Sequence, residues 1–262
     1  MSLRIAVAVK VVPKPEEVSL DEETMTLDRE GADSQLNPSC KNAVEMGLQL
    51  ADATEGEVYA VSMGPPFFEE YLQDVIAMGA EDAILLSDRA FAGADTYPTS
   101  RVLAAGVEQI GDVDLVLCGE ESADSSTGQV PPGIAEWLGW NQITYVNEAS
   151  IADGAVRATR SIGGGEETVR VPLPAVLSVE YGVNEPRFPD FKRKRWADRE
   201  WEMTVYDAGD LDLPEAEIGL DGSYTEVAAL EEIEGPARRG EWIEGDPDEQ
   251  AAELATILEE RV

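Results

Sequence analysis

The sequence predicts an α/β fold: a doubly wound, mostly parallel sheet with an antiparallel extension and an extended C-terminal arm. Three observations support this prediction. Short apolar runs alternate with segments of helical periodicity over the first half of the chain, as in consecutive βαβ units. The runs are nearly continuous in apolar residues, which is typical of strands that are buried on both faces. Each run ends in a polar or small-residue loop, where such sheets bind their ligands.

Four apolar runs are predicted to form parallel strands, each followed by a helical segment. These strands are Leu3–Val9, Glu57–Met63, Asp82–Leu86 and Asp114–Cys118. Asn37-Pro38 opens the first helix, because asparagine is a favourable N-cap and proline suits the first helical position. The later helices begin after Pro66, run from about Pro98 to Ile110, and cover Val130–Leu138. This alternation implies the right-handed crossovers of a Rossmann-like, parallel doubly wound sheet, whose ligands lie off the carboxyl ends of the strands.

The remaining segments predict hairpins and a separate arm. Val18–Arg29 is expected to form a hairpin excursion. Ala155–Ser161 and Glu167–Val171 flank three glycines and predict a second hairpin. Pro174–Val179 is expected to extend the sheet as an antiparallel strand.

Two domains are expected along the chain. Residues 1–205 would form the α/β domain, and residues 206–262 an acidic arm. The arm is weakly patterned until Pro247–Glu260, where apolar residues at helical spacing predict a terminal amphipathic helix.

Composition excludes several kinds of protein. The chain has 54 acidic and 19 basic residues among 262, a net charge of −35, so duplex nucleic acid is not an expected partner. It has no histidine, which excludes Ser-His-Asp catalysis and histidine metal sites, and its two cysteines lack metal-binding spacing. Without a secretion signal or a long apolar window, we expect a cytoplasmic protein that does not span a membrane. The excess of carboxylates suggests adaptation to high salt, where self-repulsion is screened.

The loop Gly119–Pro132 is a candidate phosphate cradle. It is rich in Gly, Ser and Thr and lies between a strand and a helix. Small residues let backbone N–H groups approach an anion, hydroxyls add donors, and the helix contributes the positive end of its dipole. Its composition alone is equally compatible with a surface loop whose hydroxyls only cap the helix.

The segment Asn184–Trp196 concentrates positive charge in an acidic chain. Six of the 19 basic residues lie in it or just after it: Arg187, Lys192, Arg193, Lys194, Arg195 and Arg199. Phe188, Phe191 and Trp196 are interleaved with them, and aromatic residues are enriched at interface anchors. The segment is a candidate partner-binding surface, although a run of charge is usually a solvated face.

Five groups of short motifs, in order, resemble the β subunit of electron transfer flavoprotein. They are Ala-Val-Ala-Val-Lys10; Asn37-Pro38 with Asn42-Ala43-Val44-Glu45; Ala77-Met78-Gly79-Ala80; Asp114-Leu115-Val116-Leu117 with Gly119, Asp124 and Thr127-Gly128-Gln129; and Asn184-Glu185-Pro186-Arg187-Phe188-Pro189. Each is weak alone, but together they span residues 3–205. The acidic composition gives the resemblance a haloarchaeal character. It implies a subunit that pairs with a larger α subunit, the pair carrying FAD and shuttling electrons from flavin dehydrogenases to a quinone reductase.

The resemblance also implies a nucleotide pocket, which holds AMP in the family or, in electron-bifurcating members, a second FAD. Carried onto this sequence, the pocket joins strand ends, a helix start and the loop: Ala8, Asn37, Pro38, Ser39, Cys40, Met63, Gly119, Ser122, Ala123, Asp124, Ser125, Ser126, Thr127, Gly128 and Gln129. Loop amides and hydroxyls would bind phosphate, and Asp124 would accept a hydrogen bond from ribose or adenine.

The motifs point both ways between AMP and FAD. Ser87–Thr96 and Met63–Pro66 resemble the bifurcating branch, whereas Asn37–Cys40 resembles the AMP-binding branch. Ser126 stands where bifurcating sequences usually carry a second aspartate. We favour FAD and keep AMP as the alternative occupant.

Two further candidates come from the loop Ser87–Thr96. Thr96 would join the cofactor-binding residues, and Arg89 would stabilise a reduced flavin or a pyrophosphate as a fixed cation. The alternative for Arg89 is a plain ion pair with a nearby carboxylate.

In the family, the segment after Asn184–Arg187 is a leucine-tipped loop that docks into partner dehydrogenases. Phe191 stands in place of that leucine, and the segment here is shorter and more basic. The recognition loop 184–200 is therefore predicted to bind a groove rimmed with acid. Its partner-binding residues would be Arg187, Phe188, Phe191, Lys192, Arg193 and Trp196.

The leading interpretation is an electron carrier subunit without bond-making catalytic residues or a metal. One alternative is an electron-bifurcating, NADH-dependent flavoprotein subunit, which shares the fold and differs in redox competence. The other is a stand-alone adenine-nucleotide-binding regulatory module, which explains the loop but gives no role to the basic segment or the arm.

Overall fold

The computed structural model describes residues 2–14, 19–21, 26–28, 33–228, 240 and 242–259. The strands are β1 (Arg4–Ala8), β2 (Val11–Pro13), β3 (Ser19–Asp21), β4 (Thr26–Asp28), β5 (Ser34–Leu36), β6 (Glu57–Met63), β7 (Asp82–Leu86), β8 (Leu115–Gly119), β9 (Asn141–Ala152), β10 (Ala155–Ile162), β11 (Gly165–Pro172), β12 (Ala175–Val179) and β13 (Thr204–Tyr206). The helices are α1 (Pro38–Thr54), α2 (Glu69–Met78), α3 (Thr96–Ile110), α4 (Val130–Leu138), α5 (Phe191–Ala197) and α6 (Pro247–Glu259).

One large sheet organises the fold, with the strand order β11-β10-β9-β12-β8-β1-β6-β7-β13. From β9 to β13 every neighbouring pair is parallel, and β9, β10 and β11 pair in antiparallel fashion. Helices cover both faces, so the predicted α/β class with a mostly parallel sheet and an antiparallel extension is confirmed.

Alternate residues of the central strands feed two separate cores. In β1, Ile5 and Val7 pack toward α1 and α2, whereas Ala6 and Ala8 pack toward α3 and α4. Both sets are almost completely buried. This explains why the strand is a continuous apolar run and not an alternating one.

The prediction for Pro174–Val179 was wrong in direction. The strand β12 lies between β8 and β9 and is parallel to both. The antiparallel extension is built instead from β9, β10 and β11, and β9 was not predicted at all. Part of the recognition loop is also helical, since α5 begins at Phe191.

The predicted hairpins agree with the described residues. The strands β3 and β4 pair in antiparallel fashion, with Leu20 opposite Leu27, while residues 18, 22–25 and 29 lie outside the described residues. The strands β10 and β11 pair up to Ile162 and Gly165 around a tight turn.

Contacts divide the chain into two units, Met1–Ala228 and Ala229–Val262. The first unit continues past residue 205, where the sequence analysis places the domain end, and Leu211 and Ile218 are buried in its core. The second unit contains α6, which confirms the predicted terminal helix. Within the described part of the chain, each helix is too short or too polar to traverse a bilayer.

Candidate functional site

The carboxyl ends of β1 and β8 meet the start of α1 at one edge of the sheet. Ala8 pairs with Cys118, and Gly119 follows it. A side chain at Gly119 would meet the Ser39 hydroxyl and come within 2.8 Å of the backbone nitrogen of Cys40. Only glycine lets the helix approach the strand end so closely. The structure thus brings Ala8, Ser39, Cys40 and Gly119 together.

Asn37, which is 1% exposed, fastens the loop to the start of α1. Its side-chain amide donates to the Glu121 carbonyl at 2.8 Å, and its side-chain oxygen accepts from the Ala123 N–H at 2.9 Å. The Ser39 hydroxyl donates to the same Glu121 carbonyl at 2.8 Å. Asn37 does occupy the N-cap position, but its side chain forms no capping bond. The prediction of a capping side chain was wrong, because the loop engages both of its polar groups.

Lys10 holds the loop from the other side. Its ammonium group donates to the Asp124 carboxylate at 2.6 Å and to the Ser122 hydroxyl at 3.2 Å. The Asp124 side chain is 7% exposed. Any bond from Asp124 to a ribose or adenine would therefore be made beside this ion pair. Lys10 is missing from the predicted site residues, although a cation directly after a strand end was a usable signal.

The backbone of the loop presents donors. The N–H groups of Ser125 and Ser126 donate to the Ser122 carbonyl, and Ser126 takes a left-handed φ of 47°. Among the described residues, the N–H groups of Thr127 and Gly128 have no acceptor. Ser125, Ser126 and Thr127 are exposed, so their hydroxyls can reach a ligand.

The first turn of α4 contributes less than the sequence suggests. Pro131 and Pro132 occupy it and carry no N–H group. The loop amides, the hydroxyls and the Lys10 cation are therefore the groups that can hold an anion. A nucleotide phosphate fits this donor set.

The second half of the predicted pocket lies beyond β6 and β7. The Thr96 hydroxyl donates to the Gln129 side chain at 3.0 Å and so links the start of α3 to the end of the loop. Met63 is half-buried at the end of β6. Arg89 is exposed in a 3-10 turn after β7 and forms no ion pair within the described ranges. The described residues thus offer no carboxylate to support the plain ion-pair alternative for Arg89.

Asp95 connects the start of α3 to the segment after β13, a contact that was not predicted from the sequence. One carboxylate oxygen of Asp95 caps α3 through the Tyr97 N–H at 2.8 Å. The other accepts from the N–H groups of Tyr224 and Thr225 and from the Thr225 hydroxyl, all at 2.9 Å. Burial works to raise the pKa of Asp95, but these bonds outweigh it and lower the pKa below its ordinary value. The segment after β13 is thereby tied over the loop that contains Arg89.

A partly buried ion pair anchors the start of the recognition loop. The Arg187 guanidinium donates to Glu45 of α1 at 2.9 and 3.2 Å and to Asp52 at 3.1 Å. Burial works to raise the pKa of Glu45, but the bonds from Arg187 and Gln49 outweigh it and lower the pKa. Arg187 thus has a structural role, and a further role in partner binding stays a prediction.

The helix α5 is fixed to α2 by its basic residues. Asp190 caps α5 by accepting from the N–H groups of Lys192 and Arg193. The Arg193 side chain donates to the carbonyls of Ile76 and Ala80 at the end of α2, where a cation is favourable. Lys194 pairs with Asp74 at 2.9 Å. Part of the predicted docking charge is therefore used to hold the helix in place.

The outer side of this segment remains open to solvent. Phe188 is 95% exposed, Phe191 79% and Trp196 40%. Lys192 and Arg195 are exposed and form no ion pair with any described residue. An apolar and cationic surface on a helix that is bonded to α2 is suited to binding an acidic protein groove.

Comparison with known proteins gives consistent matches. The model of the electron transfer flavoprotein domain matches residues 24–208. Electron transfer flavoprotein subunit beta of Thermoanaerobacterium thermosaccharolyticum is 38% identical over 259 residues, which cover 99% of each chain. Caffeyl-CoA reductase-Etf complex subunit CarD of Acetobacterium woodii is 39% identical over 262 residues, 99% of each chain. Protein FixA of Azotobacter vinelandii is 37% identical over 264 residues, 96% of this chain and 93% of its own.

Proposed function

The chain belongs to the electron transfer flavoprotein family as a β subunit, and we propose from this premise that it pairs with an α subunit to carry electrons in the cytoplasm. The electrons would come from flavin dehydrogenases and pass toward a quinone reductase. One similar protein is named as a subunit of a caffeyl-CoA reductase complex, which supports a role in assembly with a redox enzyme.

The observation that carries the proposal is the anion-binding arrangement at the sheet edge, in which Asn37 and Lys10 hold the loop that begins at Gly119. We favour FAD as its occupant, with the loop amides and hydroxyls on its phosphates and Arg89 as a cation near its redox-active part. AMP is the alternative. Bound flavin would supply the redox chemistry, while the chain's own residues bind it, orient it and balance charge.

Counting flavins tests the occupant. We expect the protein, co-purified with its α partner, to contain two FAD per pair, measured by absorbance and by chromatography of the released nucleotides. That result would also favour the electron-bifurcating alternative, which requires a second flavin. One FAD with one AMP would assign AMP to this pocket and a plain carrier function, and absence of flavin would favour the regulatory module.

Docking through α5 gives a second test. Phe191→Ala should slow electron delivery from a partner dehydrogenase about tenfold or more, because an exposed aromatic anchor is lost. The nucleotide content should not change, since the site lies at a different part of the sheet. Val227→Ala removes another exposed apolar side chain and serves as a control. Unaltered transfer kinetics in Phe191→Ala would reject the assignment.

The charge of −35 supports the hypothesis that the protein is halophilic. The distance beyond which salt screens the repulsion between exposed carboxylates is about 3 Å at molar concentration and about 30 Å at 0.01 M. The repulsion is therefore strong in dilute salt and weak in molar salt. We therefore expect the melting temperature to rise by tens of degrees between dilute and molar KCl, measured by circular dichroism. A melting temperature independent of salt would refute halophilic adaptation.

A further inference from the structure

Tyr145 in β9 has an unusual backbone conformation. Its φ is 57°, in the left-handed region that bulky residues rarely adopt. The register of β9 shifts against both of its neighbours, between Thr159 and Arg160 of β10 and between Leu177 and Val179 of β12. The N–H of Tyr145 donates to the buried Ser178 hydroxyl at 3.0 Å. Tyr145 therefore sits in an irregularity of the kind that re-aims a side chain.

The irregularity lies at the same edge of the sheet as the start of the loop Gly119–Pro132. Val146, the next residue, is opposite Val179 of β12, and Val179 is opposite Gly119 of β8. The Tyr145 hydroxyl lies 3.2 Å from the position that a Cβ on Gly128 would take. The re-aimed side chain thus places its hydroxyl beside Gly128, near the end of the loop that follows β8.

The hydroxyl is available for a ligand. Tyr145 is 41% exposed, and none of the described residues forms a hydrogen bond with its hydroxyl. It lies beside Gly128, whose N–H also has no acceptor among the described residues. An anionic oxygen can accept a hydrogen bond from the Tyr145 hydroxyl and from the Gly128 N–H. Hydrogen bonds to a charged acceptor are stronger than those between neutral groups.

We propose that Tyr145 is a further ligand-binding residue of the nucleotide site and that its hydroxyl donates to a phosphate oxygen held by the loop. This inference rests on the nucleotide site of the proposed function. It also accounts for the strained backbone, because strain of this kind collects where a side chain must be placed for binding.

The test is Tyr145→Phe, which keeps the ring and removes only the hydroxyl. The full-length chain in molar KCl is titrated calorimetrically with AMP and, separately, with FAD. We expect the variant to bind at least one of them about tenfold more weakly than wild type, as the loss of a bond to a charged group predicts. The melting temperature without ligand should be unchanged.

Tyr59→Phe is the matched control. The Tyr59 hydroxyl donates to Glu57 at the start of β6, whereas the predicted pocket lies at the other end of that strand, at Met63. It should bind as wild type does. If Tyr145→Phe binds both nucleotides within twofold of wild type, the inference about Tyr145 is overturned and the nucleotide site stands. If wild type itself binds neither nucleotide, the nucleotide site of the proposed function is overturned, and the inference with it.

Discussion

Gly119→Ala should weaken nucleotide binding by more than tenfold and lower the free energy of unfolding by about 2 kcal/mol. The added methyl group would lie 2.8 Å from the backbone nitrogen of Cys40. Backbone atoms cannot turn aside as the end of a flexible side chain can, so α1 has to move away from β8. That movement would also separate Asn37 from the loop. Calorimetric titration with FAD and AMP, together with thermal unfolding, measures both effects.

Gly163→Ala is the matched control for this substitution. Gly163 lies in the turn between β10 and β11, and a Cβ there meets no atom within 4 Å. Binding and stability should both stay at wild-type values in the control. Wild-type affinity in Gly119→Ala would show that the close approach of helix and strand is not needed for the site.

Arg187→Ala should be the most destabilising change in the recognition loop, by about 2–3 kcal/mol. It removes two side-chain hydrogen bonds from the Glu45 carboxylate, which is only 6% exposed, and leaves that charge without its cation. The start of the loop would also lose its attachment to α1. Urea unfolding at pH 7 measures the difference from wild type.

The Arg187 effect should depend on pH in a defined direction. The pKa of Glu45 in the folded protein is lowered from its ordinary value of 4.5, so the pair stabilises the fold above that value. The stabilisation is lost as the pH falls through the folded-state pKa, and the two proteins should then converge. Lys194→Ala, which removes a half-exposed pair, should cost less than about 1 kcal/mol. A larger loss in Lys194→Ala than in Arg187→Ala would contradict this ranking.

The central strands could be predicted because a strand that is buried on both faces appears in the sequence as a short, continuous apolar run. Glu57–Met63 and Asp82–Leu86 have the predicted bounds. The strand β9 gave no such signal, because Ile143 and Val146 are both buried although three residues apart. The irregularity at Tyr145 breaks the period-two pattern that identifies a strand. The direction of β12 depends on its insertion between β8 and β9, which no local pattern encodes.

The same limit applies to the site. The rule that ligands bind at strand ends located the loop that begins at Gly119, and the family resemblance added Ala8 and the start of α1. The structure places these three parts side by side. The contacts that build the cradle join residues far apart in the chain, such as Asn37 with Glu121 and Lys10 with Asp124. Hydrogen bonds over such separations leave no periodicity or spacing to detect. Side-chain direction is therefore what the structure adds.

The two outer strands of the sheet bear on self-association. The strand β13 is three residues long and offers little backbone for a further strand to pair with. At the other edge, β11 carries Glu166, Glu167 and Arg170, which would have to be desolvated by a neighbouring chain. Short and charged edges are the usual protection against edge-to-edge aggregation. Both edges of the nine-stranded sheet therefore oppose pairing with another chain by short-range means, which do not depend on the long-range repulsion between whole molecules that salt screens.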